Sequence, residues 1–176
     1  MSEKQKDRKI WLAAAVLGLA LTLFLTGINT VRLKRENREI QARLDREIQQ
    51  GIASEVFRLH VIANSDKEAD QKLKLQVKDR IVEYLQQKLK QDADLEETKE
   101  LVLTHLQEIE EEAEKIVKEA GFTYEVQAAV ENTYFPDKTY GDCTFPAGEY
   151  EALNVRIGEA QGHNWWCVLY PSLCFI

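Results

Sequence analysis

The chain has 176 residues, 44% hydrophobic and 30% charged, with a net charge of -7. That allows one ordinary domain plus an appendage and is too apolar for a disordered chain. The charge is unevenly spread: residues 1–47 hold ten Lys/Arg against six Asp/Glu, and residues 48–176 hold thirteen against twenty-four. The body is strongly acidic, and without a clustered basic face after Arg46 it excludes nucleic acid as its main partner.

Between Lys9 and Arg32 lie 22 residues, Ile10 to Val31, with no ionisable side chain. As a helix they span about 33 Å, enough to cross a hydrocarbon core of about 30 Å. Residues 10–31 therefore read as a membrane segment, and residues 1–31 as a signal peptide or membrane anchor. Phe24 to Val31 offers no small-residue cleavage site, which favours an uncleaved anchor. Arg32, Lys34, Arg35, Arg38, Arg43 and Arg46 follow the span closely, so the positive-inside count by itself leans towards a cytoplasmic body.

Residues 32–54 are rich in Arg, Glu and Gln, with Val31, Leu33, Ile40, Leu44, Ile48 and Ile52 at mostly helical spacing. They read as a charged helical stalk ending near Gly51, and residues 55–176 as a globular domain. Phe57 to Ala63 alternates as a strand, and Asn64-Ser65-Asp66 stops it. Ser65 with Glu68 fits a capping box for a helix to about Lys90, whose buried stripe is Ala69, Leu73, Val77, Ile81, Leu85 and Leu89. Asp94 with Glu97 fits a second, heading one helix that carries Leu95, Val102, Leu106, Ile109, Ala113, Ile116 and Ala120 and stops at Gly121. Its Glu-rich outer face reads as a solvated surface.

After Gly121 the period changes to two. Tyr124 to Glu131 is a half-buried strand, Pro136-Asp137 a turn, and Thr139 to Phe145 a strand that Pro146-Ala147-Gly148 joins as a hairpin to Tyr150–Ile157. Trp165 to Tyr170 is an unbroken apolar run, suited to a central strand. The expected fold is α+β, two helices on a mainly antiparallel sheet in the order β-α-α-β-β-β-β, behind the N-terminal helix and stalk.

Chemistry-bearing patterns are few. Cys167 and Cys174 flank a Pro171-Ser172 turn that brings them within bridging reach if the domain is exported; the alternative is two buried thiols, with Cys143 the odd residue. His163 and Cys167 suggest a thiol nucleophile with its base, but four residues along a strand are about 13 Å, too far for a local pair. His60, on the face of Arg58, is the other candidate base. The histidines His60, His105 and His163 are scattered, with no zinc-ligand spacing, phosphate loop or dinucleotide turn. Asn64, Ser65 and Asp66 lie at a strand-to-helix corner, a site-like place where exposed N–H groups could hold a carboxylate; the alternative is capping alone. Trp165 and Trp166 face opposite sides of their strand, one for the core and one for an interface.

Phe57-Arg58-Leu59-His60-Val61-Ile62-Ala63-Asn64-Ser65-Asp66 and the following Asp70-Gln71-Lys72-Leu73-Lys74-Leu75-Gln76-Val77-Lys78-Asp79 resemble the opening of the stage II sporulation protein R family. So do Thr139-Tyr140-Gly141, Phe145 to Leu153, and Gly162-His163-Asn164-Trp165-Trp166-Cys167-Val168-Leu169-Tyr170-Pro171-Ser172-Leu173-Cys174-Phe175. The resemblance covers about residues 48–176. It implies a signal rather than an enzyme: a protein made in the forespore, exported to the intermembrane space, that triggers a membrane-embedded aspartic protease to process pro-sigma-E. It implies no cofactor or metal, and it favours a Cys167–Cys174 disulfide. The expected partner-binding residues are His60, Asn64, Ser65, Asp66, His163, Asn164, Trp165 and Trp166. Two other readings stand beside it: a membrane-anchored extracytoplasmic thiol hydrolase using Cys167 or Cys143, and a structural anchor whose stalk self-associates.

Overall fold

An uncharged N-terminal run and an alternating, cap-punctuated remainder give two compact units, residues 1–47 and residues 48–176. The computed structural model describes residues 3–90, 92–141 and 143–171. The described residues of the first unit are all helical, as part of α1 (Glu3–Ser54), which passes Gly51 and stops three residues later. A glycine within a helix weakens it without breaking it, and the turn that follows is coil-like only after Ser54. From Ala15, α1 is long and apolar enough to cross a membrane, and none of that window is buried in the protein. Thr22, Thr26 and Thr30 donate their hydroxyls to Leu19 O, Leu23 O and Thr26 O, so these hydroxyls are satisfied within the helix.

The second unit is α+β. After α1 come β1 (Phe57–Ile62), α2 (Glu68–Lys88), α3 (Leu95–Thr104), α4 (Leu106–Glu119), β2 (Val126–Phe135), β3 (Lys138–Tyr140), β4 (Cys143–Phe145), β5 (Gly148–Ile157) and β6 (Asn164–Tyr170). Four strands form one sheet in the order β2-β5-β1-β6, and β3 and β4 form a separate ribbon. β2 with β5 and β1 with β6 are antiparallel; β1 with β5 is parallel, because the helices intervene between them.

Several expectations change here. β6 is an edge strand rather than a central one: among the described residues it pairs with β1 alone, its start at Asn164 and Trp165 is exposed, and Cys167 to Leu169 are buried. β1 is the central strand and is buried on both faces, so its alternation carries apolar residues to one side and Arg58 and His60 to the other. The segment Thr139 to Phe145 is two three-residue strands folded on themselves around Gly141, whose φ of 57° suits the tight turn. The partner of β5 is therefore β2, over ten residue pairs, rather than the segment just before it.

Three helices, not two, lie in this unit. The expected single helix breaks at His105, where φ is -109° and the backbone N–H is shared between Leu101 O (3.1 Å) and Val102 O (3.2 Å), with the ring nitrogen Nδ1 2.8 Å from Leu101 O. Asp94 and Glu97 form the expected capping box. At the other end, Gly121 (φ 81°) donates to Lys118 O and Phe122 donates to Val117 O, the paired bonds of a Schellman stop. The side chains that α4 buries are Ile109, Ala113 and Val117, with Leu106 and Ile116 at the margins.

Phe57, Leu59, Val61, Leu153, Val155, Ile157, Cys167 and Leu169 face the helices, where Leu73, Val77, Ile81, Leu85, Val102 and Ile109 complete the main core. The other face holds a smaller cluster of Val56, Phe135, Phe145, Tyr150, Ala152 and Val168, joined by Ile52 and Ala53 from the last turns of α1 and by Tyr140 and Trp166. Trp165 and Trp166 lie on opposite sides of β6: Trp166 joins this smaller cluster, and Trp165 meets Lys78 of α2, the ammonium 5.0 Å from the ring centre.

Candidate partner-binding groove

The turn after β1 and the loop before β6 are far apart in sequence but register puts them together: Ile62 is opposite Asn164, Val61 opposite Trp165 and His60 opposite Trp166. Gly162 donates to Ala63 O and Gln161 donates to Asn64 O, closing the two segments backbone to backbone. No room is left at that closure. A Cβ on Gly162 would fall 2.3 Å from Ser65 O and 2.9 Å from the Ala63 Cβ. Gly162→Ala is therefore expected to cost about 2 kcal/mol in urea denaturation, while Gly51→Ala, with open space around it, leaves stability unchanged or slightly raised. Equal stability of the two variants would refute the close approach.

The buried centre of this corner is Asp70, which sequence reading had left inside a helix. Its Oδ2 accepts from Asn64 Nδ2 (2.8 Å) and Ser65 Oγ (2.5 Å), and its Oδ1 accepts from the Tyr124 hydroxyl (3.1 Å). This arrangement overturns the Ser65–Glu68 capping box: α2 starts after Lys67 without a side-chain cap, because the Ser65 hydroxyl serves the carboxylate instead. The expected stripe changes at its first member, with Asp70 buried and Ala69 exposed, while Leu73, Val77, Ile81 and Leu85 are buried as expected. Burial pushes the Asp70 carboxyl up, but the hydrogen bonds from Ser65, Asn64 and Tyr124 outweigh it and hold it below the usual carboxylate range. A carboxylate one step from the apolar stripe, six residues beyond an Asn-Ser pair, was the available signal. Asn64 also accepts from Glu159 N through Oδ1, and Lys74, largely buried, donates to His163 O.

Around this anchor the exposed residues line an open groove of about 460 Å3: Asp66, Lys138, Gln161, Gly162, His163, Asn164 and Trp166. Five of these, Asp66, Gly162, His163, Asn164 and Trp166, come from the two segments that the sequence singled out; Lys138 and Gln161 carried no sequence signal. His163 donates its backbone N–H to Asp66 Oδ1 at 2.6 Å, and its Nδ1 lies 2.5 Å from the same oxygen. These bonds lower the Asp66 pKa, the side-chain one foremost. Asn64 and Ser65 point inward as struts, and Trp165 lies outside the groove on the helix side.

His60 is not at the surface. It is 5% exposed, its ring stacked on Trp166 with centroids 3.8 Å apart. Asn154 spends its amide on Thr133 Oγ1 and Ala152 O, so its Oδ1 accepts from His60 Nδ1 at 2.7 Å and Nε2 is left bare of a proton, without a partner of ordinary hydrogen-bond geometry. Burial pulls the imidazole pKa down, opposed by Asn154 and the Asn164 amide, and keeps the ring neutral. Two positions before it on the same face, Arg58 is fully buried among Phe135, Tyr150 and Phe145, its guanidinium carbon 3.9, 4.8 and 5.5 Å from the ring centres.

The geometry separates the candidate thiol from its bases. Cys167 shares the helix-side core with Leu59, its opposite residue on β1, whereas His60 faces the other side of the sheet. Cys167 is buried and not free. Cys174 lies outside the described residues, and Cys143, on β4, is an exposed free thiol. Among the described residues no cluster of three or more His, Cys, Asp or Glu side chains could hold a metal ion.

The family described as Stage II sporulation protein R matches residues 53–176. Among curated proteins, Stage II sporulation protein R of Bacillus subtilis (strain 168) is 35% identical over 125 residues, which cover 71% of this chain and 56% of the relative. The chain thus spans little more than half the length of that relative. No solved structure matches. The matched region contains every element from β1 to β6, with both segments of the groove, and the chain belongs to the stage II sporulation protein R family.

Proposed function

We propose that this chain is an exported sporulation signal: made in the forespore, carried across its membrane by residues 10–31, and presenting its acidic domain in the intermembrane space to a membrane-embedded aspartic protease that processes pro-sigma-E. The observation that carries the reading is the meeting of two distant family-like segments, around Asp66 and around Gly162–Trp166, in one open groove. A rigid corner with exposed polar groups suits recognition of a protein surface. Contact drives activation through unequal affinity for the inactive and active states of the protease. Export also accounts for a Cys167–Cys174 bridge, which an oxidising compartment would preserve. The groove contacts are Asp66, His163, Asn164 and Trp166; Asn64 and Ser65 hold them in place, His60 supports Trp166 from beneath, and Trp165 extends the surface on the helix side.

The test is forespore-restricted expression of the chain in a strain lacking its own activator, scored for pro-sigma-E processing. The parent restores processing. His163→Ala, exposed and therefore neutral for folding, cuts it several-fold. Unchanged processing with His163→Ala removes the groove from the contact, and no processing by an exported parent removes the activator reading. The exposed Cys143 thiol favours a second reading, thiol chemistry, and Cys143→Ser in the same strain separates the two: processing is retained by a contact signal and lost by a thiol enzyme.

A further inference from the structure

Beyond the membrane-crossing stretch, α1 continues as helix through residues 32–47 with all its side chains exposed, including Leu33, Ile40 and Leu44. A solitary helix of this length is marginal in water, and large apolar side chains on it mark a face that something covers. Their spacing identifies the cover. Leu33, Asn37, Ile40 and Leu44 step by four, three and four residues, the a and d positions of a heptad, and such a seam accepts another helix of the same pitch.

Residues 19–31 reveal the same face by a different rule. Apolarity carries no information there, since every face is apolar, but helix contacts in lipid select small and hydroxyl residues. Continuing the heptad backwards puts Thr22, Thr26, Gly27 and Thr30 all at seam or seam-flanking positions. Phe24, Leu25, Ile28 and Val31 all fall on the opposite side. Leu19 and Leu23 also fall on this seam, so its small part runs from Thr26 to Thr30, where the threonine hydroxyls already bond to their own helix. The seam stops at Leu44: the next apolar residues, Ile48 and Ile52, drift off it, and Ile52 is spent in the core of the second unit.

We propose that α1 pairs in parallel with α1 of a second copy of this chain, along a seam through Thr26, Thr30, Leu33, Asn37, Ile40 and Leu44. A common direction of insertion makes the pair parallel. Asn37 then meets Asn37 of the second copy at the same height, where each amide supplies the partner that the other requires, and a single such Asn sets two strands and their register. No like charges meet across the seam: Glu36 falls opposite the neutral Gln41 of the second copy, and Asn29 opposite Lys34. Arg35 and Glu39 point outward and pair along their own helix at 3.3 Å.

The test is oxidative cross-linking of the full chain in native membranes, in a Cys143→Ser background, with one cysteine introduced at a time. Leu33→Cys, Asn37→Cys, Ile40→Cys and Leu44→Cys are expected to give several-fold more dimer than Arg35→Cys, Arg38→Cys, Ala42→Cys and Asp45→Cys. Separately, Asn37→Leu is expected to admit species larger than a dimer. Cross-links that are absent, equal on both faces, or already trimeric in the parent register would overturn the pairing.

Discussion

Arg58→Ala is expected to destabilise the domain by about 4 kcal/mol, whereas Arg58→Met stays within about 1 kcal/mol of the parent. Arg58 is fully buried on β1 and among the described residues meets no carboxylate: its Nη2 donates to the Tyr140 hydroxyl at 3.4 Å, its Nε to Cys167 O at 3.5 Å, and Nη1 finds no hydrogen-bond partner there. Burial lowers its pKa for the same reason, against the favourable influence of Tyr140 and Tyr150. The charge is held by aromatic faces, Phe135 closest, rather than by an ion pair. Alanine leaves a cavity in the smaller core and removes the donor to the Tyr140 hydroxyl, which keeps its own bond to Trp166 O. Methionine fills much of the same volume and removes the cost of an unpaired buried donor. Urea denaturation followed by tryptophan fluorescence reads both, with Trp166 reporting from the same cluster. Equal losses in the two variants would mean that the guanidinium charge, not its volume, stabilises this face.

Asp70→Asn should cost about 3 kcal/mol at pH 7, and most of that difference should vanish in acid. In the parent, three donors converge on one buried carboxylate; in the variant the amide turns its own donor towards them. The folded pKa lies below the ordinary value of 3.8, so the carboxylate contributes fully above that value and its contribution is lost as pH falls through the folded pKa. Stability of the parent therefore drops below about pH 4 while that of the variant falls less. Denaturation curves from pH 7 to pH 2 check it. A gap between parent and variant that stays constant down to pH 2 would show that the ionised carboxylate is not the source of the stabilisation.

These two residues also mark where local reading stopped. The Asp94–Glu97 cap, the Gly121 stop and the alternation of β1, β2 and β5 were legible because caps and periods depend on neighbours within a turn or a strand. The Ser65 cap failed although its pattern was as good, since Asp70 competes for the same hydroxyl from inside the fold. The break at His105 was equally invisible: the apolar stripe runs through it, and the interruption lies in the backbone, where the His105 N–H is shared between Leu101 O and Val102 O. An unbroken apolar run looks alike at the centre of a sheet and at its edge, and only the pairing of β6 with β1 alone decides its position.

The groove was legible in parts. Asp66, His163, Asn164 and Trp166 stood out as polar and aromatic residues in two family-like segments, but nothing local said that the segments touch. His60 belonged to the same motif and turned out to lie beneath the surface, because β1 is covered on both faces.

The sequence by itself determined the split between an uncharged membrane-length helix and an acidic α+β domain, the helix ends with local caps, and the family, all of which follow from composition, period and motif. Only the tertiary structure decided the sheet order, the parallel pairing of β1 with β5, the burial of Arg58, His60 and Asp70, and the closure of residues 63–66 onto residues 158–163. The reason is range: a turn or a cap is settled by groups a few residues apart, whereas a buried carboxylate or an aromatic cage is settled by which distant strands share a face.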